Sequence, residues 1–344
     1  MDYQERKVTL LQHAAILLFV LVGSWLAIKD YRTREQEAME FSRLKSADEA
    51  LNQAIPPIPL VVKVDDRKVR LGERLYHDPL LSHDGTISCA SCHDLKKGGT
   101  DQAPTSTGIG GALGPINAPT TFNSGFFFSQ FWDGRARDLA GQAAGPVQNP
   151  REMGSTWPEV ISKLSSDKSY VEAFASIYSD GVQGANVTDA IAEYEKSLIT
   201  PDSRFDRYLR GDPLALSADE KEGYRLFKEF GCVSCHQGMA LGGNMYQTLG
   251  TMEDYFTNRK ETQADYGRFN VTGNRLDLHQ FKVPTLRNVE RTFPYLHDGS
   301  AQTLEDVLDV MWKSQLGRSS RPEESVKIVK FLKTLNGKYK GGQL

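Results

Sequence analysis

Between Val8 and Ile28 the chain reads VTLLQHAAILLFVLVGSWLAI, with no charged side chain except the weak titrator His13. Twenty-one residues of helix are about enough to cross the hydrocarbon of a bilayer. Arg6 and Lys7 precede this run as they would in a signal peptide. The best small-residue cleavage site, Val22-Gly23-Ser24, would leave Trp25 at the new N-terminus, so an uncleaved membrane anchor is the favoured reading. Residues 29–55 mix Glu, Arg, Lys and Ala with scattered apolar positions and read as a solvated helical stalk, which Pro56-Pro57-Ile58-Pro59 ends. Beyond it, alternation of the strand type is scarce and helix signals are frequent. Ser217 with Glu220 forms a capping box ahead of Tyr224 and Phe227, and Ser320 with Glu323 does so ahead of Val326, Val329 and Leu332. Thr303 with Asp306 opens another, whose apolar face is Leu304, Val307, Leu308 and Met311. The predicted class is mostly α with long loops.

The pattern also repeats. GERLY (Gly72–Tyr76) precedes one Cys-x-x-Cys-His group and GYRLF (Gly223–Phe227) precedes a second. A Gly-Gly pair follows each, at 98–99 and 242–243. Fourteen residues separate Pro119 from Asp133 and Pro284 from Asp298, with Asn123 and Asn288 each four residues past the proline. Two copies of one unit explain these landmarks, with an extra segment of about Met245 to Leu278 inserted in the second. The expected organisation is an anchor (1–28), a stalk (29–55), and two tandem units (56–200 and 201–344).

Composition narrows this little: 39% hydrophobic and 25% charged residues suit a globular chain, and a net charge of −3 shows no nucleic-acid footprint. The cysteines narrow it a great deal. All four lie in the two Cys-x-x-Cys-His groups, Cys89-Ala-Ser-Cys92-His93 and Cys232-Val-Ser-Cys235-His236. A zinc site, a redox dithiol or a disulfide could use such thiols. None of these explains a histidine directly after both pairs. Two c-type haems do: each cysteine pair bonds the vinyl groups, and His93 or His236 reaches the iron. Covalent attachment of this kind takes place outside the bacterial cytoplasmic membrane, so residues 29–344 are expected in the periplasm with the chain anchored in the inner membrane by residues 8–28.

The repeat then poses the question of the other axial position. Met311 lies twelve residues after Gly299, and the same count from Gly134 falls on Pro146. Methionine can ligate iron and proline cannot, so one haem is expected to carry electrons and the other to have an open face.

Here the chain resembles the bacterial di-haem cytochrome c peroxidases. The likeness is carried by GTISCASCH (85–93), GPINAPT (114–120), QFWDGRARDLAGQAAGPVQNPREM (130–153) and TPDSRFDRYLRGD (200–212). GCVSCH (231–236), KVPTLRNV (282–289) and HDGSAQTLEDVLDVM (297–311) extend it to nearly everything after residue 55. The resemblance implies two cytochrome c-like haem domains, a homodimer, and reduction of hydrogen peroxide with electrons from a small periplasmic redox protein, a cytochrome c or a cupredoxin. It implies a peroxidatic haem on Cys89, Cys92 and His93, and an electron-entry haem on Cys232, Cys235 and His236 with Met311 distal. It further implies Trp132 as a conduit between haems and Glu152 as the acid–base group for peroxide. His297 would orient groups near the second haem. A calcium ion would be held by Asn117 and the carbonyls of Thr292 and Pro294. Without the resemblance, Trp132 reads as a core aromatic and Glu152 as a surface glutamate.

One position departs from the family. Many members carry a histidine sixteen residues after the first proximal one, which caps the peroxidatic haem at rest; here it is Ile109. Only His77 and His83 lie near in sequence, so the first haem is expected to be five-coordinate or water-ligated. Two other activities stay open. A related peroxide-dependent group oxidises side chains of a partner protein and has tyrosine on its second haem, a part Tyr295 could take. A pure electron carrier would need six-coordinate iron at both sites, against which Pro146 and Ile109 both speak.

Overall fold

The computed structural model describes residues 55–344 apart from Ser320, together with residues 25, 28–33, 35 and 36. The chain divides into two units, Met1–Gln53 and Ala54–Leu344. In the first, residues 28–33 are helical and exposed, and Thr33 Oγ1 donates to the Lys29 carbonyl. The predicted anchor falls outside the described residues except for Trp25 and Ile28. Among the described residues no helix is long and apolar enough to cross a membrane.

The second unit is mostly helical. Its principal helices are α1 (Asp66–His77), α2 (Leu139–Gln148), α3 (Trp157–Ser166), α4 (Lys168–Ala175), α5 (Gly184–Ser197) and α6 (Arg204–Leu209). They continue with α7 (Ala218–Glu229), α8 (Leu304–Val310) and α9 (Pro322–Lys333). The capping boxes at Ser217–Glu220 and Thr303–Asp306 form as the pattern predicts. The one predicted at Ser320 involves a residue outside those described. There α9 opens with Pro322 in its first turn behind Arg321, which makes no side-chain cap; proline fits because it has no N–H to leave unpaired.

Each half is built on one close helix crossing, α1 on α5 and α7 on α9. The repeated glycines make both crossings. A Cβ on Gly72 would sit 1.9 Å from the Ala190 carbonyl oxygen, and one on Gly223 would sit 2.0 Å from that of Lys327. Around the crossings lie two separate apolar cores. Leu71, Leu75, Val187 and Ile191 belong to the first, and Phe205, Phe227, Ile328 and Phe331 to the second. The backbone repeats just as closely. Asn123 and Asn288 are both left-handed at φ 61°, Phe131 and Leu296 at 68° and 70°, and Gly134 and Gly299 at 68° and 64°. The Asn123 N–H donates to the Leu198 carbonyl, and that of Asn288 to the Leu335 carbonyl.

The ends of this unit cross over. Ile55 packs in the second core, and the Ile58 N–H donates to buried Asp206, which pairs with buried Arg287 at 2.8 Å. At the other end, β3 (Lys338–Tyr339) and β4 (Gly342–Gln343) pair with each other. They lay Tyr339 against Phe122 of the first half. The inserted segment leaves the second half through β1 (Tyr246–Thr248) and returns through β2 (Gln280–Lys282), an antiparallel pair that encloses it.

Candidate haem sites and the wall between them

Cys89–Cys92 is a single helical turn, and Cys232–Ser234 is a tighter one. All four thiols are free, which removes the disulfide reading. The four do not converge on one ion either: among the described residues only Asp265, His297 and Asp298 bring three metal-capable groups together. The histidine after each turn is held by a backbone carbonyl in a way that leaves one ring nitrogen able to bind a metal. His93 Nδ1 lies 3.3 Å from the Gly99 carbonyl oxygen and His236 Nδ1 lies 3.3 Å from that of Leu241. A carbonyl only accepts, so Nδ1 carries the proton and Nε2 keeps its lone pair for a metal. Burial pushes both imidazoles down, that of His236 to about 4, so both are neutral and able to ligate at physiological pH.

The second site has a cavity of about 480 Å³, largely apolar, whose wall includes Cys232, Cys235, His236, Met311 and Trp132. Met311 follows the end of α8 in a wide π-type turn and packs with Leu249, Phe256 and Phe281. The sequence separated His236 and Met311 by 75 residues (311 − 236), and the fold places both on this one cavity. A neutral imidazole, a thioether and two thiols around an apolar space fit a c-type haem. In the first half α2 is capped by Asp138 as α8 is capped by Thr303, and Pro146 occupies in α2 the place of Met311.

The first site is bounded by the GIGG loop and the turn that carries Glu152. Gly108 approaches so closely that a Cβ there would be 2.0 Å from the Arg151 carbonyl oxygen, and the Ile109 N–H donates to the Glu152 carbonyl. Ile109 itself packs beside Gly154. The Glu152 carboxylate accepts from Asn149 Nδ2 at 2.6 Å, and burial holds its proton more tightly than in a free glutamate. Burial holds the proton of the Cys92 thiol more tightly, and the Glu152 charge is also felt there. Neither spare histidine turns its ring into the site: His77 ends α1 exposed, and the His83 ring pairs with Glu159 at the surface, although its backbone N–H donates to the Met153 carbonyl beside Glu152.

Trp132 stands between the halves. Its Nε1 donates to the Asn117 carbonyl at 2.9 Å, its own carbonyl accepts from Lys282, and its ring meets Phe281 and His297 edge-on. Asn117, Thr292 and Pro294, the implied calcium ligands, line the same cavity wall, and Asn117 Nδ2 is already spent on the Ala103 carbonyl.

Three polar groups here escaped the sequence reading. Asp265 accepts from buried His297 at 2.7 Å while its other oxygen caps Thr262; only the path of the inserted segment brings it there. Lys282 is buried, donates to the Ser129 carbonyl, and has its ammonium pushed down to about 7 by burial. Glu195 is buried on α5.

The family model described as di-haem cytochrome c peroxidase matches residues 66–213. Cytochrome c peroxidase Ccp of Escherichia coli K12 is 50% identical over 306 residues, 89% of this chain and 66% of that protein. The chain thus spans about two thirds of that relative's length. Cytochrome c551 peroxidase of Nitrosomonas europaea is 50% identical over 289 residues, 84% of this chain and 85% of the other. Among solved structures, a MauG-like protein associated with microbial copper homeostasis superposes with a TM-score of 0.73 at 28% identity, covering 82% of this chain and 93% of its own. The chain belongs to the di-haem cytochrome c peroxidase family of enzymes.

Proposed function

We propose that the protein reduces hydrogen peroxide to water, consuming two electrons and two protons per peroxide, with electrons entering at the second site and peroxide cleaved at the first. The observation that carries this reading is the asymmetry between copies: Met311 shares a cavity with His236, while Pro146 takes its place in the first half. When bound, the haems would supply the redox chemistry, one held by Cys89, Cys92 and His93 and the other by Cys232, Cys235, His236 and Met311.

The chain's own residues supply the rest. Glu152, as the carboxylate, takes the proton from the near oxygen of peroxide and returns it to the far one, and the burial that raises its proton affinity makes it a stronger base for this transfer. Asn149 fixes the carboxylate, and the GIGG loop covers its backbone with an aliphatic side chain at Ile109, so peroxide meets no competing imidazole. Trp132, held by Asn117 and flanked by His297, gives electrons a short aromatic path between the sites. By resemblance to the family the protein is read as periplasmic and homodimeric, fed by a cytochrome c or cupredoxin, while an anchor at residues 8–28 rests on the apolar run of the sequence alone. The three oxygens from Asn117, Thr292 and Pro294 suit one partly hydrated calcium ion.

A second reading, oxidation of a partner protein's side chains, is favoured by Tyr295 on the same cavity wall as Met311. Steady-state peroxide consumption with a reduced small cytochrome c decides. Turnover of that donor supports the peroxidase, and peroxide stability in its presence refutes it.

A further inference from the structure

The two crossings fix how α5 and α9 correspond residue by residue. Gly72 meets Ala190 and Tyr194, and Gly223 meets Lys327 and Phe331. Three residues before the Leu198 and Leu335 carbonyls that accept from Asn123 and Asn288 stand Glu195 and Leu332. Leu332 is 4% exposed and lines the haem cavity of the second half. The first half therefore has a carboxylic acid where its copy has an apolar wall.

Glu195 is 5% exposed, and its Oε2 has no hydrogen-bond partner. Tyr76 faces it from α1, Cys89 from the first haem-binding turn, and Tyr194 from its own helix. The Tyr76 hydroxyl is already committed to the His93 carbonyl and Thr121. Farther out, beside Tyr194, lie Glu73 and Tyr339, and Glu73 pairs with Lys340. No cation faces Glu195 among the described residues. Burial alone pushes its carboxyl up to about 8. A buried carboxyl oxygen with no partner is costly, since the charged form is poorly solvated and the neutral form leaves that oxygen without a hydrogen bond.

We propose that Glu195 is a proton-binding group of the first haem pocket, taking up one proton when that haem gains an electron and releasing it on reoxidation. The proposal rests on the reading that a haem is attached at Cys89 and Cys92. One electron from the donor side and one proton from solvent enter together, so the net charge of the pocket does not change. In a dry pocket an uncompensated electron would be disfavoured. The second half, with Leu332, has no such group, so only the first haem is coupled in this way.

The test is a spectroelectrochemical titration of the full-length holo-protein and of Glu195→Gln, from about pH 6 to about pH 10. Haem content is counted first. In the wild type the reduction equilibrium of the first haem should fall by up to tenfold per pH unit through the titration of the acid, while the second haem stays flat. Glu195→Gln should abolish that slope and leave the second haem unchanged. Infrared difference spectra of the wild type should show a protonated-carboxyl band gained on reduction and moved by ¹³C-glutamate labelling, a readout that needs no variant. One haem per chain would overturn the haem reading and this proposal with it. Two haems with a pH-independent first haem, an undiminished slope in Glu195→Gln, or no carboxyl band would overturn the proposal alone.

Discussion

Replacing Glu152 by glutamine removes a titratable proton and little else. The amide keeps the side-chain volume and an oxygen that can accept from Asn149 Nδ2, now at 2.6 Å. The backbone of the turn is held independently, through the Ile109 N–H on the Glu152 carbonyl and the close approach of Gly108 to Arg151. The stability change is therefore expected to stay within about 1 kcal/mol, the net worth of one hydrogen bond. The loss of acid–base help should slow peroxide cleavage by about 10²–10⁴-fold. At 1.36 kcal/mol per decade that is roughly 2.7–5.4 kcal/mol of barrier. The pH profile gives a second check. Burial raises the Glu152 pKa against the opposing effects of Asn149 and Arg135. As the carboxylate is the base that must receive the first proton, the rate should fall as pH drops through this raised pKa. The acid limb then lies above the ~4.3 of a free glutamate. For stability the sign is opposite: the contribution of this group is complete below the free-glutamate value and is lost as pH rises through the raised one. Stopped-flow mixing with peroxide, beside haem counts and thermal melts of both proteins, supplies the measurement. An unchanged rate constant and acid limb in a Glu152→Gln protein with two haems would remove Glu152 from the mechanism.

The other sites make equally direct predictions. Met311→Leu should open the second haem and Met311→His should lower its potential, both slowing electron entry; wild-type potentials in both variants would reduce Met311 to core packing. Gly223→Ala forces a methyl to within 2.0 Å of the Lys327 carbonyl, so the α7–α9 crossing must shift. Overpacking of this kind costs about 1–3 kcal/mol, and calorimetry should show a lower Tm; a Tm equal to wild type would mean that the crossing is not tight.

The parts of this molecule that are local in the chain could be read from it. Cys89-x-x-Cys92-His93 and its copy state their chemistry in five residues, because haem attachment needs both thiols and the ligand on one short turn. Ser217 with Glu220 and Thr303 with Asp306 announce their helices for the same reason. The repeat carried information farther: equal counts from Gly134 and Gly299 located Met311 and Pro146, and the fold keeps both in register. What depended on distant chain was silent. Asp265 reaches His297 through a segment with no counterpart in the first half, so no alignment of the copies could pair them. Ile55 and Tyr339 each pack on the half away from their own end, which no periodicity announces. At α9 the pattern pointed to Ser320, whereas the helix opens on Pro322. Glu195 was legible only in part, since the register that sets it against Leu332 comes from the glycine crossings.

Electron paramagnetic resonance of the fully oxidised holo-protein, followed by mixing with peroxide before any reductant is added, tests the division of labour between the two sites most directly. His77 and His83 stay at the surface, Ile109 has no donor atom, and Pro146 holds the place of Met311. The spectrum should therefore contain one high-spin and one low-spin ferric haem, and peroxide should react in the first mixing without a lag. Two low-spin haems, with a lag that pre-reduction abolishes, would contradict this account.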